Sequence, residues 1–253
     1  MPIMNLRMAQ PAELVDLTSL AGLEYVRDDG RFIEIGALTR HQTLTDSELV
    51  RRRCPLLAEA ASGIGHYAIR QRGTLGGSLA HADPAAQLPL VAVALGAEIE
   101  LASRRGRRVL AAAGFFVSVM TTALAADELI VSVRFPATLA NEGTAFRLFN
   151  RRRGDFAIVA VAAGLRLRGE QVERLRLGVG GVESVPVLLA DLAARQAGRT
   201  ADATWVAEMA AAARAAVDAQ EDARIPALYR RELTEVLVAR ALGAAIERIG
   251  ATT

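Results

Sequence analysis

Two adjacent glycines, Gly76 and Gly77, lie between two hydroxyl residues, Thr74 and Ser78. Because glycine has no side chain, a ligand can approach the backbone closely at such positions. A glycine-rich turn that precedes a helix can direct N–H groups at an anion, which is the geometry that holds phosphates. An apolar run over residues 85–95 follows, and Gly96 is a typical helix end. We call residues 73–78 the glycine segment.

The glycine segment alone is also compatible with an ordinary tight turn. It does not fit the two familiar nucleotide-binding patterns. The sequence contains no G-x-G-x-x-G, and all 30 basic residues are arginine, so a Walker A site is excluded.

Other constellations that carry chemistry are missing from the sequence. The only cysteine, Cys54, permits no internal disulfide and no cysteine-ligated cluster. The histidines His41, His66 and His81 are widely spaced, without a metal-ligand pattern. No arrangement of serine or cysteine with histidine indicates nucleophilic catalysis. We therefore predict no metal site and no catalytic side chain, and a redox protein of this sequence would need an organic cofactor.

Composition narrows the class of protein. A chain of 253 residues with 52% hydrophobic residues can bury one large or two small cores. A net charge of +2 without a basic stripe, and only 4% aromatic residues, argue against nucleic-acid binding. The apolar runs are too short for a membrane span, and the N-terminus does not resemble a signal peptide. We expect a cytoplasmic protein.

The elements that would position the glycine segment follow from turn residues and periodicity. A short helix or extended segment is expected in residues 1–20, and a hairpin around the turn Asp28-Asp29-Gly30. A helical region is predicted over 43–64, with Asp46 as cap, and a short helix over 115–120. A hairpin is predicted over 97–110 and a strand over 129–135. A second group has strands at 145–149, 156–167 and 172–179, the last two joined by residues 168–171 as an antiparallel hairpin. Helices are expected at 187–197, 201–220 and 227–249.

Four segments in order resemble the FAD-binding medium subunits of the molybdenum hydroxylases, the carbon monoxide dehydrogenase and xanthine dehydrogenase family. They are 35–41 (IGALTRH), 73–86 (GTLGGSLAHADPAA), 127–136 (DELIVSVRFP) and 149–157 (FNRRRGDFA). The resemblance implies an α+β fold. An FAD-binding domain of the PCMH type, vanillyl-alcohol-oxidase-like, would occupy residues 1–140. A small antiparallel sheet with a helical bundle, like the C-terminal domain of carbon monoxide dehydrogenase flavoproteins, would occupy residues 141–253.

The resemblance also implies which residues bind FAD: Thr74, Leu75, Gly76, Gly77, Ser78, Asp83, Gln87, Ile130 and Arg147. Residues 74–78 would hold the pyrophosphate, Gln87 the adenosine ribose, Ile130 the flavin ring and Arg147 its polar edge. Asp83 would mainly form a turn with Pro84. The family commonly has asparagine at the position of Ser78 and an acidic residue at that of Gln87. From the residues alone, Ile130 is equally compatible with strand core and Arg147 with a solvated strand end.

The resemblance implies a subunit that passes electrons through FAD between an iron–sulfur (2Fe–2S) small subunit and an external acceptor. Substrate would be oxidised at a molybdopterin-binding large subunit. A flavin-free structural or assembly subunit and a stand-alone FAD oxidase are the alternatives. The run Arg151-Arg152-Arg153 is either an anion site or a salt-bridged face against a partner.

Family members carry another glycine-rich FAD loop just upstream of the segment that residues 1–7 match. From the sequence, we expect that this loop is missing through an internal start codon or a truncation, and that residues 1–253 expressed alone retain little FAD.

Overall fold

The computed structural model describes residues 2–5, 7 and 9–250. Met1 and Leu6, which belong to the segment compared with the family N-terminus, lie outside the described residues. The described helices of the N-terminal half are α1 (Pro2–Asn5), α2 (His41–Asp46), α3 (Glu48–Arg53), α4 (Pro55–Ser62), α5 (Tyr67–Arg70), α6 (Leu75–His81) and α7 (Gln87–Leu95). Its strands are β1 (Val26–Asp28), β2 (Phe32–Gly36), β3 (Glu98–Ser103), β4 (Gly106–Ala111), β5 (Phe116–Ser118), β6 (Thr121–Thr122) and β7 (Leu129–Pro136).

The C-terminal half has strands β8 (Glu142–Phe149), β9 (Val159–Arg168), β10 (Gln171–Gly180) and β11 (Val187–Leu188), and helices α8 (Ala190–Ala194), α9 (Ala203–Ala216) and α10 (Ala227–Gly250). Among the described residues, one sheet has the order β1-β2-β7-β3-β4 and another the order β11-β10-β9-β8. Neighbouring strands in both are antiparallel. The helices and the antiparallel sheets together confirm the predicted α+β class.

The hairpins predicted from turn residues are confirmed. Val26 pairs with Ile35 across the first hairpin. Its turn is closed by aspartate side chains: the N–H of Gly30 donates to Asp28 at 2.8 Å, and that of Phe32 to Asp29 at 2.6 Å. Such side-chain contacts are the reason that aspartate favours turns. The hairpins β3–β4 and β9–β10 form as predicted as well.

The helical region predicted over residues 43–64 is confirmed and consists of three short helices, but the predicted cap is wrong. Ser47, and not Asp46, caps α3, and its hydroxyl accepts the N–H of Val50 at 3.3 Å. Asp46 is the last residue of α2. Pro55 begins α4, and since proline has no N–H, the preceding helix cannot continue through it.

Two other helix predictions also need correction. Residues 115–120 contain the strand β5, in which Phe116 pairs with Thr122. Residues 187–197 divide into β11 and α8, because Val187 pairs with Val179 at the edge of the second sheet. In both places a β-branched or aromatic residue pairs with a neighbouring strand, and this strand pairing decides the conformation.

The sheet β8–β10 lies between two cores and joins the halves of the chain. Phe146 and Ala162 belong to the core that includes α4 and α7, whereas Val161 and Ala163 belong to the core that includes α9 and α10. A Cβ added at Gly178 would lie 3.0 Å from Ala94, so glycine allows α7 to approach the sheet closely. The predicted domain boundary at residue 140 falls between β7 and β8, and it stays a prediction.

Candidate functional site

The glycine pair lies inside a helix, which differs from the loop that the sequence suggested. Thr74 is extended and forms the N-cap of α6, and its hydroxyl accepts the N–H of Gly77 at 3.1 Å. Gly76 and Gly77 occupy the first turn, without a positive φ angle. Threonine is a favourable N-cap because its oxygen satisfies an otherwise unpaired helical N–H.

The backbone N–H groups of this turn are bonded within the chain. Leu75 N–H donates to Thr39 O at 3.0 Å, Gly76 N–H to Ala37 O at 2.8 Å, and Ser78 N–H to Thr74 O at 3.0 Å. The expectation of several free N–H groups directed at an anion is therefore not met. The polar groups that can face a ligand are the hydroxyls of Thr74 and Ser78, both half-buried. Because the Thr74 oxygen accepts from Gly77, its own O–H proton remains available to donate.

The two glycines have different surroundings. Gly76 is buried, and an added Cβ would lie 2.7 Å from the Cβ of Ala37. Its small size therefore allows α6 to contact the segment after β2. Gly77 is exposed, and apart from its chain neighbours and the backbone of α6, the only described atom within 4 Å of an added Cβ is Thr74 Oγ1, at 2.8 Å. Space for a ligand is therefore open above Gly77.

The His41 side chain contacts the glycine segment at Gly73 and Thr74, a role that the sequence analysis missed. Its Nε2 lies 2.8 Å from Thr74 O, and because a carbonyl only accepts, Nε2 carries the proton. A Cβ at Gly73 would lie 2.6 Å from the imidazole ring. Burial lowers the pKa of His41, which keeps the ring neutral at physiological pH. His41 lies within segment 35–41, which resembles the family, and this resemblance was the signal in the sequence that could have indicated its role.

Asp83 lies between α6 and α7, and Gln87 lies at the start of α7. The Asp83 carboxylate accepts the N–H of Ala85 at 2.8 Å, which confirms the expected turn with Pro84. Gln87 is the first residue of α7 and is 6% exposed. Its Nε2 lies 3.4 Å from a Cβ added at Gly63. Leu148 of β8 approaches the same point at 3.5 Å, so Gln87, the end of α4 and β8 meet here.

Leu75 and Ile130 are core residues. Leu75 is fully buried, and Ile130 is 8% exposed in β7, opposite Leu101 of β3. Helix α6 contacts both β7 and α7, which brings these residues into one region with Gln87.

Arg147 lies in β8 and pairs with a carboxylate. Its Nη1 is 3.0 Å from Glu59 Oε1 of α4. Glu59 also accepts from Arg248 of α10 at 2.7 and 2.8 Å, and from the N–H of Phe146 at 3.0 Å. Burial alone would raise the pKa of Glu59, but the hydrogen bonds from Arg248 dominate together with the other partners and hold it below its ordinary value. Arg147 is therefore not a simple solvated strand end.

The described residues contain no group of three or more histidine, cysteine or acidic side chains that could hold a metal ion. Within the same part of the chain, no helix has the length and hydropathy needed to cross a membrane. Arg151, Arg152 and Arg153 are exposed, and none of them pairs with a described carboxylate. Both predicted roles of this run, an anion site and a salt-bridged face against a partner, stay predictions.

Comparison with known families identifies the two halves. Residues 1–138 match the family described as "FAD binding domain in molybdopterin dehydrogenase", and residues 144–245 match "CO dehydrogenase flavoprotein C-terminal domain". The chain belongs to the FAD-binding medium subunits of the molybdenum hydroxylases. It is an oxidoreductase subunit whose cofactor is FAD and whose role in the complex is electron transfer.

Individual relatives of this medium subunit agree with the family assignment. It is 37% identical to the 6-hydroxypseudooxynicotine dehydrogenase complex subunit alpha of Paenarthrobacter nicotinovorans, over 98% of this chain and 84% of the relative. It is 35% identical to the carbon monoxide dehydrogenase medium chain of Hydrogenophaga pseudoflava, over 98% and 86%. A solved carbon monoxide dehydrogenase from the latter organism superimposes with a TM-score of 0.94 at 36% identity, covering 98% of this chain and 86% of that one. The predicted fold of both halves is confirmed.

The residues present fit part of an FAD site. The open face of Gly77 and the available Thr74 proton suit an anionic oxygen, such as one of the two phosphates of FAD. The medium subunits of this family function in multi-subunit complexes, which implies large and small partner subunits.

Proposed function

We propose that the first turn of α6 binds the pyrophosphate of FAD through the hydroxyls of Thr74 and Ser78, at the open face of Gly77. The observation that carries this proposal is the space above Gly77, where, apart from the chain neighbours and the backbone of α6 itself, only Thr74 Oγ1 among the described atoms lies within 4 Å of an added Cβ. Leu75 and Gly76 serve indirectly, since their burial fixes the turn against the core. A hydroxyl donates well to a charged oxygen, and such a bond contributes about 1.5–3 kcal/mol.

The other proposed contacts surround this turn. Gln87 offers a carbonyl oxygen and two amide protons to the ribose, Ile130 packs against the flavin ring, and Arg147 lies at its polar edge. Asp83 holds the connection between α6 and α7. The pairing of Arg147 with Glu59 restrains the guanidinium and leaves its remaining N–H groups for a ligand.

FAD, when bound, accepts and returns electrons, and the residues of this chain bind and orient it. The proposed role of these side chains is binding and orientation, without a proton-transfer step. We propose that the subunit passes electrons between a 2Fe–2S small subunit and an external acceptor, while a molybdopterin-binding large subunit oxidises the substrate. A cytoplasmic location stays a prediction.

The cofactor proposal is tested with Gly77→Val. The new side chain occupies the space above the turn, and loss of even one charge-assisted bond lowers affinity about tenfold or more. The measurement is FAD released per chain on denaturation. Gly243→Val is the matched control, because Gly243 is also helical and has no described atom within 4 Å of an added Cβ. Both variants are first incubated with excess FAD, and equal FAD content in a Gly243→Val protein that retains the cofactor and in Gly77→Val would remove the glycine segment from the site.

The partner proposal is tested by co-expression with the neighbouring genes and purification of this chain. Co-purification of an iron–sulfur chain and a molybdenum-containing chain, with flavin absorbance, supports the electron-transfer subunit. The same assembly without flavin absorbance would identify a structural subunit. An active, FAD-containing monomer would identify a stand-alone oxidase.

A further inference from the structure

A cleft of about 630 Å³ lies between the two halves of the chain, away from the proposed FAD site. It is lined by the ends of β2 and β7, the end of α7, and residues of β10 and α8. The glycine segment contacts the other end of β7, because Gly76 N–H donates to Ala37 O and Ala37 N–H donates to Val131 O. Pro136, at the opposite end of that strand, lines the cleft. Cavities of about 300–1,000 Å³ are the usual size for small-molecule sites.

Arg176 of β10 provides an incompletely paired cation at the wall of this cleft. Its side chain is 15% exposed, and the nearest carboxylate oxygen, Glu142 Oε1, lies 4.0 Å away, beyond hydrogen-bond distance. The other oxygen of Glu142 accepts the N–H of Leu139 at 3.0 Å. Within the described residues, the Arg176 guanidinium makes no hydrogen bond, so its partly exposed N–H groups are available to a ligand.

Two further arginines make the cleft electropositive. Arg174 and Arg31 line it, and neither forms an ion pair with a described carboxylate. Arg174 lies two residues from Arg176 along the strand, so the two side chains leave the same face of the sheet. Of the acidic residues in the lining, Glu98 is already paired with Arg134 at 3.0 Å. Burial, and then the Arg174 charge, lower the pKa of Arg176, an environment that a bound anion would relieve.

We propose that this cleft is an anion-binding site, in which Arg176 and Arg174 hold the carboxylate or phosphate group of a small molecule with an apolar body. Arginine presents several N–H groups in a planar fork that matches both oxyanions. Phe32, Leu95 and Leu139 supply apolar surface in the same cleft for the remainder of the ligand. The site shares none of the residues proposed to bind FAD.

The test uses the full chain in the presence of excess FAD, titrated calorimetrically with octanoate and with inorganic phosphate at constant ionic strength in chloride. We expect saturable binding of at least one probe, weakened about tenfold or more by Arg176→Gln, since a hydrogen-bonded charge is lost. Octanoate binding indicates an apolar carboxylate, and phosphate binding a phosphate ester. Arg104→Gln is the control, because Arg104 is an exposed arginine of the β3–β4 turn and its loss changes the net charge equally.

Arg174→Gln is a second variant, because its side chain is exposed and its loss threatens folding less. It is expected to weaken binding in the same direction. Absence of saturable binding by both probes would overturn the proposal, as would equal affinity in wild type, Arg174→Gln and a folded Arg176→Gln. Phosphate binding that is lost in Gly77→Val but kept in Arg176→Gln would also overturn it, because the anion would then occupy the cofactor site.

Discussion

At the scale of single residues, the two adjacent glycines have separate reasons to be small. Gly76 makes room for the protein itself, since an added Cβ would lie 3.0 Å from Ala37 O and closer still to its Cβ. Gly77 makes room for a ligand, since its exposed side is open apart from the Thr74 hydroxyl. One dipeptide thus combines a packing requirement with a binding requirement.

Alanine substitution separates the two requirements. Gly76→Ala should destabilise the FAD-free protein by about 1–3 kcal/mol, because the backbone of Ala37 cannot move away easily. Gly77→Ala should destabilise it less, because alanine favours a helix and the added Cβ meets only the Thr74 hydroxyl, and it should weaken FAD binding. Unfolding of both FAD-free variants is followed by circular dichroism. Equal destabilisation by the two changes would contradict the separation.

Thr74 has both a capping and a proposed binding role, and its hydroxyl carries both. Thr74→Val keeps the shape but loses the acceptor for Gly77 N–H, which should cost about 1 kcal/mol of stability. It should also lower FAD content, as measured by absorbance of the purified protein. Thr74→Ser retains the hydroxyl and is the control. If Thr74→Val lost stability but kept full FAD affinity, the hydroxyl would be a cap alone.

At the scale of elements, one carboxylate connects three of them. Glu59 of α4 accepts hydrogen bonds from Arg147 and the N–H of Phe146, both in β8, and from Arg248 of α10. These contacts join the N-terminal helices to the C-terminal sheet and helix. Because the Glu59 side chain is only 27% exposed, removal of its charge would leave partly buried arginines without their partner.

The depressed pKa of Glu59 gives a pH-dependent prediction. A carboxyl whose pKa is lower in the folded state contributes stability that is fully present above its unfolded pKa, about 4.3, and is lost as pH falls through the folded pKa. Glu59→Gln should therefore destabilise by about 1.5–3 kcal/mol at neutral pH. The difference from wild type should shrink below about pH 4.3. Urea unfolding at several pH values measures it.

Glu232→Gln is the control for this prediction, because Glu232 is an exposed residue of α10. Its free energy of unfolding should stay close to that of wild type at every pH. A difference between wild type and Glu59→Gln that stayed constant down to acid pH would show that the charge of Glu59 does not stabilise the fold.

At the scale of the whole molecule, α10 covers the face of the second sheet that points away from the N-terminal half. It packs on β8, β9 and α9, and its Leu242 and Ala245 are fully buried. The approach to β8 is so close that a Cβ at Gly143 would lie 1.9 Å from Ala245 O. The start of β8 therefore lies directly against the helix backbone.

Gly143→Ala should accordingly disturb this contact more than a typical overpacking change, at about 3 kcal/mol. The obstructing atom is a backbone oxygen inside a long helix, so relief requires movement of α10 as a unit. We expect a lower melting temperature and faster amide exchange along α10. Gly114→Ala is the control, because no described atom lies within 4 Å of its added Cβ. Unchanged exchange in α10 would contradict the close contact.

The sequence by itself determined the family, the hairpins and the end of α7. Turns such as Asp28-Asp29-Gly30 form from contacts within a few residues, and Gly96 ends α7 because glycine adopts the left-handed conformation easily. Local chemistry of this kind can be recognised without the fold. The string 73–86 likewise identified the FAD-binding segment, although it did not reveal its conformation.

Tertiary structure alone decided the features that depend on distant residues. Gly76 lies in a helix whose N–H groups donate to the segment after β2, more than thirty residues earlier in the chain. Glu59 meets Arg248 across a separation of 189 residues, which no local pattern records. In each case the free energy of a long-range contact outweighed the local preference, and only the folded chain shows which contacts form.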